Sequence, residues 1–235
     1  MKDFICIIVP CYNPPKNWDA IVRQSFKKIV NELPDGNLQL VLVNDGSTNT
    51  YESEIESLQT EFGDKFQYIE YKNNKGKGHA IRKGVSSIKA DYYIYTDIDF
   101  PYETQDISGI INHMNSGIDV VVGVRSEEYY ESLPFFRVCI SRATKFLLKH
   151  VLLLKIPDTQ CGLKGFKSNI KGVFLDTKIN RFLFDMEFIL IAGKDSNITM
   201  YPYPVTLRKG VVFSTLNLRI LVREAINFMK LYYLK

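Results

Sequence analysis

Residues 92–100 read Tyr-Tyr-Ile-Tyr-Thr-Asp-Ile-Asp-Phe, a short run of β-prone side chains that ends in two carboxylates. The pattern predicts a strand over residues 92–99, and Pro101 then forbids its continuation in the middle of a sheet. Along an extended segment Asp97 and Asp99 share one face, because successive side chains alternate. Two convergent carboxylates suit Mg²⁺ or Mn²⁺ bound to a diphosphate, whereas an ordinary acidic turn is the alternative interpretation.

Length and composition restrict the class of protein. With 235 residues, of which 46% are hydrophobic, the chain is long enough for one sizeable α/β domain and too short for two comfortable ones. A net charge of +4 is too small for a dedicated nucleic-acid binder, although it suits phosphates or an anionic membrane. The four cysteines lack metal-site spacing, and neither a signal peptide nor an apolar run of about 20 residues is present. We therefore expect a cytoplasmic protein, soluble or peripheral on the cytoplasmic face of the membrane.

The first 45 residues predict a strand, a helix and a second strand. The runs 4–10 and 38–43 are almost entirely apolar, as expected of strands buried on both faces of a parallel sheet. Between them, apolar residues recur at helical spacing after a potential cap at Asn17. Further strands are predicted at 66–71, 119–124 and 198–207. The predicted fold class is α/β, with a single Rossmann-like domain and a mostly parallel central sheet flanked by helices.

Asp45 follows the second predicted strand, within Asn-Asp-Gly-Ser. Such a tetrapeptide is often a hairpin turn, but the apolar stripe that follows it has helical spacing, which favours a strand-to-helix turn. Asp45 would then project from the carboxyl end of a parallel strand, where open α/β sheets bind ligands. A carboxylate there can accept a hydrogen bond from a base imide or a ribose hydroxyl.

Two basic motifs point to phosphate groups. The segment 74–78 reads Asn-Lys-Gly-Lys-Gly and precedes a helix predicted from Ala80, and glycine-rich backbone at a helix N-terminus binds anions. We interpret it as facing a nucleotide, with a solvated basic loop as the alternative. Arg125 ends the strand predicted at 119–124, where a guanidinium can pair with phosphate. A salt bridge at the surface is the competing interpretation of Arg125.

Taken together, these motifs resemble glycosyltransferase family 2, whose members have the GT-A fold. The segments that carry the resemblance, in order, are Val9–Asn13, Val43–Ser47, Asn74–Gly78, Thr96–Asp99 and Gly123–Arg125. Two later segments are similar to the dolichyl-phosphate glucosyltransferase branch, whose relatives include the dolichyl-phosphate mannose synthases: Asp158–Phe166 and Phe184–Phe188.

The resemblance implies an inverting, metal-dependent enzyme that moves a sugar from a nucleotide-diphosphate sugar to a polyprenyl phosphate. UDP-glucose is favoured over GDP-mannose as the donor. Transfer to a saccharide hydroxyl is the first alternative, and it would require a general base, for which Asp185 is preferred over Glu187. A non-catalytic module that binds sugar nucleotides is the second alternative.

Residue by residue, the resemblance places Asp45 on the nucleobase, Asp97 near the ribose or sugar, and Asp99 on the metal, with Asp97 as a second ligand. It places Arg125 at the diphosphate or the acceptor phosphate. The remaining residues expected at the nucleotide sugar are Pro10, Tyr12, Asn13, Lys77 and Gly78. The residues expected on the acceptor side are Asp185, Glu187, Arg137, Arg142, Gln160 and Lys164. Asp97, Asp185 and Glu187 are the candidate catalytic carboxylates.

Two segments combine basic and apolar residues and are candidates for contact with a membrane. Residues 133–156 suit an interfacial helix, although a helix packed in the core has a similar pattern. Residues 211–235 predict an amphipathic helix, packed on the domain or peripheral at a membrane. The expected division is therefore a catalytic domain over 1–210 and a C-terminal helix over 211–235.

Overall fold

Strand β1 (Phe4–Cys11) lies near the middle of a sheet that has seven strands within the described residues. The computed structural model of the chain describes residues 3–34, 36–125, 156, 158–181 and 183–208. The other strands are β2 (Asn37–Asn44), β3 (Phe66–Glu70), β4 (Tyr92–Tyr95), β5 (Val120–Arg125), β6 (Lys164–Lys167) and β7 (Met200–Val205). The helices are α1 (Trp18–Glu32), α2 (Glu52–Phe62), α3 (Lys77–Ser87), α4 (Thr104–Asn115), α5 (Lys171–Leu175) and α6 (Phe184–Lys194).

The order of strands in the sheet is β3-β2-β1-β4-β6-β5-β7. Parallel pairs join β1 to β2 and β4, β2 to β3, and β5 to β7, whereas β6 is antiparallel to both of its neighbours. Because β4 and β5 are both antiparallel to β6, they point in the same direction. The carboxyl ends of all the described strands except β6 therefore meet at one edge, which confirms the predicted mostly parallel sheet.

Side chains that alternate along the strands supply two hydrophobic layers. On β1, Ile7 belongs to the layer formed with α1, α2 and α4, and Ile8 belongs to the layer formed with α3, α5 and α6. Both isoleucines are fully buried. A strand covered on both faces needs apolar side chains on both faces, which is why β1 and β2 are almost entirely apolar.

The strand predicted over residues 92–99 is shorter in the structure. β4 ends at Tyr95, and the chain then turns, with the Phe100 N–H donating to the Asp97 carbonyl (3.0 Å) and Phe100 adopting a φ of 42°. The prediction that Asp97 and Asp99 share a face of an extended segment is therefore wrong. Both carboxylates lie in a turn, which was the alternative interpretation.

Several other boundaries differ from the sequence-based expectation. α3 begins at Lys77, three residues before the predicted Ala80, and α6 begins at Phe184. The predicted strand 198–207 is reduced to β7. β6 was not predicted, because its four residues have a lysine at each end and a glycine between them, which gives no period-2 signal.

Gly78 in α3 packs against the chain that leads into α6, and a side chain there is expected to destabilise the fold. A Cβ atom at Gly78 would lie 2.6 Å from Phe184 Cβ and 2.8 Å from the Ile179 carbonyl oxygen. We expect Gly78→Ala to lower the free energy of unfolding in urea by about 2 kcal/mol, because backbone and Cβ atoms cannot move aside cheaply. Gly172→Ala is the control, since a Cβ there meets nothing within 4 Å. Equal stabilities of the two variants would contradict this packing.

The two segments predicted to contact a membrane lie outside the described residues, apart from Ile156. Their helices, and the division of the chain at residue 210, stay predictions. Within the part of the chain that the structure describes, none of the helices combines the length and the apolar character that crossing a bilayer requires.

Candidate active site

The candidate site lies at the sheet edge where the parallel strands end. The chain passes from β1 to β2 on one side, whereas β4 lies on the other side of β1, so the order of strands reverses here. Open α/β sheets bind ligands in the crevice at such a reversal. Asp45 follows β2, Asp97 follows β4 and Arg125 ends β5, so the fold brings all three to this edge, as predicted.

The Asp97 carboxylate is fixed by contacts on both of its oxygens. Oδ1 lies 2.5 Å from Lys77 Nζ, which is an ion pair between the turn after β4 and the first residue of α3. Oδ2 lies against Gly162, where a Cβ atom would approach it to 2.2 Å. A side chain at position 162 would require the Asp97 carboxylate to move. Gly162 therefore lies directly beside this carboxylate in the site.

Asp99 is half-buried beside Asp97. Burial, and then the negative charge of Asp97, raise the pKa of Asp99, while the charges of Lys77 and Arg208 partly offset this rise. Arg208 Nη2 also donates to the Asp99 carbonyl oxygen (2.8 Å), and the Arg208 N–H donates to the Pro101 carbonyl. These contacts make Arg208 a residue of the site.

The Asp97–Asp99 pair suits a divalent cation. The two carboxylates are close enough for the charge of one to raise the pKa of the other, so a cation between them would relieve their repulsion. Among the described residues, no third histidine, cysteine or carboxylate completes a metal cluster with them. A Mg²⁺ or Mn²⁺ ion held here would therefore take its other ligands from a diphosphate and water, as Mg²⁺ commonly does.

Asp185, near the start of α6, is buried in an ion pair. Lys164 Nζ lies 2.9 Å from Asp185 Oδ1, and Tyr95 Oη donates to the same oxygen (2.6 Å). Lys164 is fully buried and also donates to the Cys161 carbonyl oxygen. Both lone pairs of Oδ1 are thus engaged, and Lys164 packs inside the domain rather than at an open acceptor surface.

Glu187 lies on another side of α6 from Asp185, because residues two apart in a helix do not face each other. Its oxygens accept hydrogen bonds from the backbone N–H groups of Lys178 (2.9 Å) and Ile179 (2.7 Å). Arg82 Nη1 donates to Thr177 Oγ1 and to the Ile179 carbonyl, both at 2.9 Å. Glu187 and Arg82 therefore hold segment 177–180 in place.

Arg125 pairs with Asp158, which is buried. Arg125 Nε and Nη2 donate to the two carboxylate oxygens of Asp158 (2.7 Å and 2.9 Å). Burial alone would raise the pKa of Asp158, but Arg125 and backbone donors hold it below its ordinary value. Arg125 thus forms an ion pair, as in the competing interpretation, but the pair is buried rather than at the surface. The predicted contact of Arg125 with phosphate stays a prediction. Gln160 is exposed, and its N–H donates to Asp158 Oδ1.

The Asp45 carboxylate accepts four hydrogen bonds from the chain itself. The donors are Tyr71 Oη (2.7 Å), Asn74 Nδ2 (2.9 Å), the Lys75 N–H (2.7 Å) and the Gly76 N–H (2.8 Å). Burial and the Asp45 carboxylate raise the pKa of Tyr71, which therefore remains a donor. A carboxylate offers about four acceptor positions, so a nucleobase N–H can bind Asp45 only by replacing one of these donors.

At the start of α3 the backbone donors of both glycines are used within the chain, and the predicted contact of this segment with a nucleotide stays a prediction. The N–H groups of Gly78 (2.8 Å) and His79 (3.3 Å) donate to the Asn180 carbonyl, and the Gly76 N–H donates to Asp45. The glycines instead allow close packing, since a Cβ at Gly76 would lie 2.4 Å from the Asn180 oxygen. Helix N-termini bind anions through free N–H groups, and here the donors of both glycines are used within the chain.

Replacing Asp45 with asparagine is expected to lower the free energy of unfolding by about 3 kcal/mol. The amide NH₂ group would face either the Asn74 and Gly76 N–H donors or the Tyr71 O–H and Lys75 N–H donors, and would leave that pair without an acceptor. Urea denaturation measures the effect, with the exposed Asp64→Asn as the control. If Asp45→Asn were as stable as that control, the hydrogen bonds of Asp45 would not stabilise the loop formed by residues 74–76.

The residues after β1 contribute one structural contact and one exposed ring. Asn13, at a φ of 44°, accepts hydrogen bonds from Thr48 N and Thr48 Oγ1 (2.9 Å and 3.0 Å), and its own N–H donates to Ser47 Oγ. This joins the loop after β1 to the loop after β2. The Tyr12 side chain is 49% exposed and Pro10 is half-buried, so the Tyr12 ring is accessible for stacking at this edge.

A family model settles the relationship that these motifs suggest. Residues 6–172, more than two thirds of the chain, match the model described as Glycosyl transferase family 2. The chain belongs to glycosyl transferase family 2. Its membership confirms the resemblance carried by the segments from β1 to Phe166.

Curated relatives of this family 2 chain agree with the branch suggested by its later motifs. It is 26% identical over 207 residues to a dolichol-phosphate mannosyltransferase of Pyrococcus furiosus, covering 87% of this chain and 57% of the relative. It is 26% identical over 202 residues to the dolichyl-phosphate beta-glucosyltransferase of Homo sapiens, covering 80% and 62%. The chain thus spans about three fifths of the length of these relatives.

Solved structures confirm the GT-A fold. Mannosyl-3-phosphoglycerate synthase from Rubrobacter xylanophilus superposes with a TM-score of 0.68 at 15% identity, covering 98% of this chain and 73% of that chain. A mannosyltransferase from Pyrobaculum calidifontis, in complex with GDP-Man and Mn²⁺, gives a TM-score of 0.57 at 14% identity, covering 89% and 59%. Both are GT-A glycosyltransferases.

Two residues of this family 2 site were missing from the predicted set. Asp158 lies in the segment Asp158–Phe166, and Arg208 directly follows the strand predicted at 198–207; the sequence predicts no role for either. Arg208 follows β7, whose carboxyl end lies at the edge of the site, so a basic residue directly after a predicted parallel strand was the available signal. The predicted residues Arg137 and Arg142 lie outside the described residues.

Proposed function

We propose that the chain is an inverting glycosyltransferase that moves a hexose from a nucleotide-diphosphate sugar to a polyprenyl phosphate, with Mg²⁺ or Mn²⁺. Membership of glycosyl transferase family 2 supports the reaction class. The names of the curated relatives, a dolichol-phosphate mannosyltransferase and dolichyl-phosphate glucosyltransferases, support the acceptor. UDP-glucose is the favoured donor, on the resemblance of residues 158–166.

One observation favours a phosphate acceptor: both candidate bases are engaged in contacts within the chain. Asp185 Oδ1 already accepts from Lys164 and Tyr95, and Glu187 accepts from the backbone of segment 177–180. A sugar hydroxyl needs a base to become a good nucleophile. A phosphate monoester does not, because its second pKa is about 6 and it is largely ionised at neutral pH.

Each residue at the sheet edge would have a separate role in binding the nucleotide sugar and the metal. Asp99 and Asp97 would hold the cation, which would neutralise charge on the departing diphosphate. Tyr12 would stack on the nucleobase, and Arg208 would contribute positive charge beside the Asp97–Asp99 turn. Asp45 and Asn13 would fix the loops that form the base pocket, rather than bind the base through free oxygens.

The proposal is tested by sugar transfer from labelled UDP-glucose and GDP-mannose, with Mn²⁺ or Mg²⁺, to a short polyprenyl phosphate. Label that partitions into organic solvent is counted, and the matching polyprenyl alcohol is the control acceptor. We expect label from UDP-glucose on the phosphate and none on the alcohol. The rate should increase with pH through about 6 and level off above about 7, as the acceptor phosphate becomes a dianion.

Other outcomes would redirect the proposal. Donor hydrolysis without transfer to either lipid would favour a saccharide acceptor. Transfer to the alcohol as fast as to the phosphate would mean that the site contains a base. Binding of a donor without any turnover would favour a sugar-nucleotide binding module. The expected contact with a membrane, through residues 133–156 and 211–235, and the cytoplasmic location are parts of the proposal that a vesicle-binding assay and fractionation would test.

A further inference from the structure

Lys77, the first residue of α3, contacts one of the two carboxylates that the proposed function assigns to the metal. Its Nζ atom lies 2.5 Å from Asp97 Oδ1, and its side chain is only 17% exposed. An ammonium and a divalent cation at the same carboxylate oxygen would repel each other strongly, because solvent screens the charges poorly in a half-buried site. Lys77 and a metal ion would therefore compete for Asp97.

The backbone on both sides of Lys77 is fixed, so only its side chain can move. The Gly76 N–H donates to Asp45 Oδ2 (2.8 Å), and the Gly78 N–H donates to the Asn180 carbonyl (2.8 Å). Neither glycine has room for a Cβ atom. The ammonium of Lys77 is thus held within reach of Asp97, and a ligand can displace it only by rotating the side chain.

The charges in this part of the structure balance without a metal. The described residues around the Lys77–Asp97 pair supply three carboxylates and three cations, which are Asp97, Asp99, Asp185, Lys77, Lys164 and Arg208. A divalent cation alone would add two uncompensated charges.

We infer that Lys77 is an internal counter-ion for Asp97, which makes divalent-cation binding depend on the nucleotide diphosphate. The negative charge of the diphosphate would offset the charge of the added cation. The diphosphate would also bind the ammonium of Lys77 once it leaves Asp97. This inference rests on the proposed function, because it concerns the same metal. Lys77 acts here as a positioning residue, through its effect on Asp97.

The test measures Mn²⁺ binding, with free Mn²⁺ followed by electron paramagnetic resonance, so that no turnover is needed. The full chain is titrated without nucleotide and with UDP or GDP, and the same titrations without protein are subtracted, because a nucleoside diphosphate itself binds Mn²⁺. The variants are Lys77→Met, Lys77→Gln and the charge-retaining Lys77→Arg. Lys83→Met is the matched control, since Lys83 is exposed on the same helix. Circular dichroism checks folding, and two neutral variants allow for the failure of one to fold.

We expect the wild type to bind Mn²⁺ far more tightly with a nucleoside diphosphate than without it. In Lys77→Met and Lys77→Gln, the Mn²⁺ affinity without nucleotide should increase at least about tenfold. The factor by which nucleotide increases the Mn²⁺ affinity should be smaller than in the wild type. Lys77→Arg and Lys83→Met should behave as the wild type. Unchanged Mn²⁺ affinity in both neutral variants would overturn the inference and leave the proposed function standing. A wild type that binds no Mn²⁺ even with nucleotide would overturn the inference together with the metal assignment, whereas the transfer assay tests the reaction separately.

Discussion

Replacing Asp99 with alanine is expected to reduce metal-dependent sugar transfer about a thousandfold, because a Lewis acid at the leaving diphosphate contributes several kcal/mol. The variant should also lose metal-dependent binding of the nucleotide. Its stability should not fall, since burial and the charge of Asp97 raise the pKa of Asp99, which means that the ionised carboxylate is unfavourable in the folded chain.

The measurement combines initial rates at saturating Mn²⁺ with a titration of nucleotide in the presence and absence of the ion. Asp64→Ala is the control, because this exposed carboxylate precedes β3 and so lies at the opposite edge of the sheet. Full activity in Asp99→Ala would remove Asp99 from the metal site. A loss of activity with normal metal-dependent nucleotide binding would assign Asp99 to a later step.

Replacing Asp185 with asparagine is expected to lower the free energy of unfolding by about 3 kcal/mol, because it leaves the buried ammonium of Lys164 without its counter-ion. Lys164→Met should cost a similar amount, since it leaves a buried carboxylate bonded only to Tyr95 among these partners. At temperatures where the Asp185 variant is folded, donor binding should stay close to that of the wild type.

A double-mutant cycle distinguishes this pair from two independent residues. The double variant Asp185→Asn with Lys164→Met should be less destabilised than the sum of the single variants by about 2 kcal/mol, because neither charge remains unpaired. Asp195→Asn, just after the same helix and exposed, is the control for α6. Additive effects would contradict the ion pair, and a large loss of donor affinity in Asp185→Asn would move Asp185 to the donor side.

Most of the sheet could be predicted because the strands are marked by apolar patterns in their own sequence. β1 and β2 are apolar on both faces, and Asn-Asp-Gly after β2 with a helical stripe behind it indicates the βαβ connection. β4 was extended too far, since Ile98 continues the apolar alternation while Phe100 in fact bends the chain at a positive φ. β6 is held by its two neighbours rather than by its own composition, and no local pattern could reveal it.

The candidate site was predicted in its location but not in its contacts. The sequence placed Asp45, Asp97 and Arg125 at one edge because the carboxyl ends of parallel strands meet there. It assigned them to ligands, whereas the structure gives each a protein partner as well: Asp45 has the loop before α3, Asp97 has Lys77, and Arg125 has Asp158.

By itself, the amino-acid sequence determined the family, the parallel sheet and the edge at which the polar motifs gather, because apolar periodicity and short motifs are properties of neighbouring residues. Only the tertiary structure decided which charges neutralise each other. Lys77 pairs with a carboxylate 20 residues away, and Lys164 pairs with one 21 residues away. The sequence offers many carboxylates for each lysine, and the choice depends on which side chains the folded backbone brings within about 4 Å in a place that water does not screen.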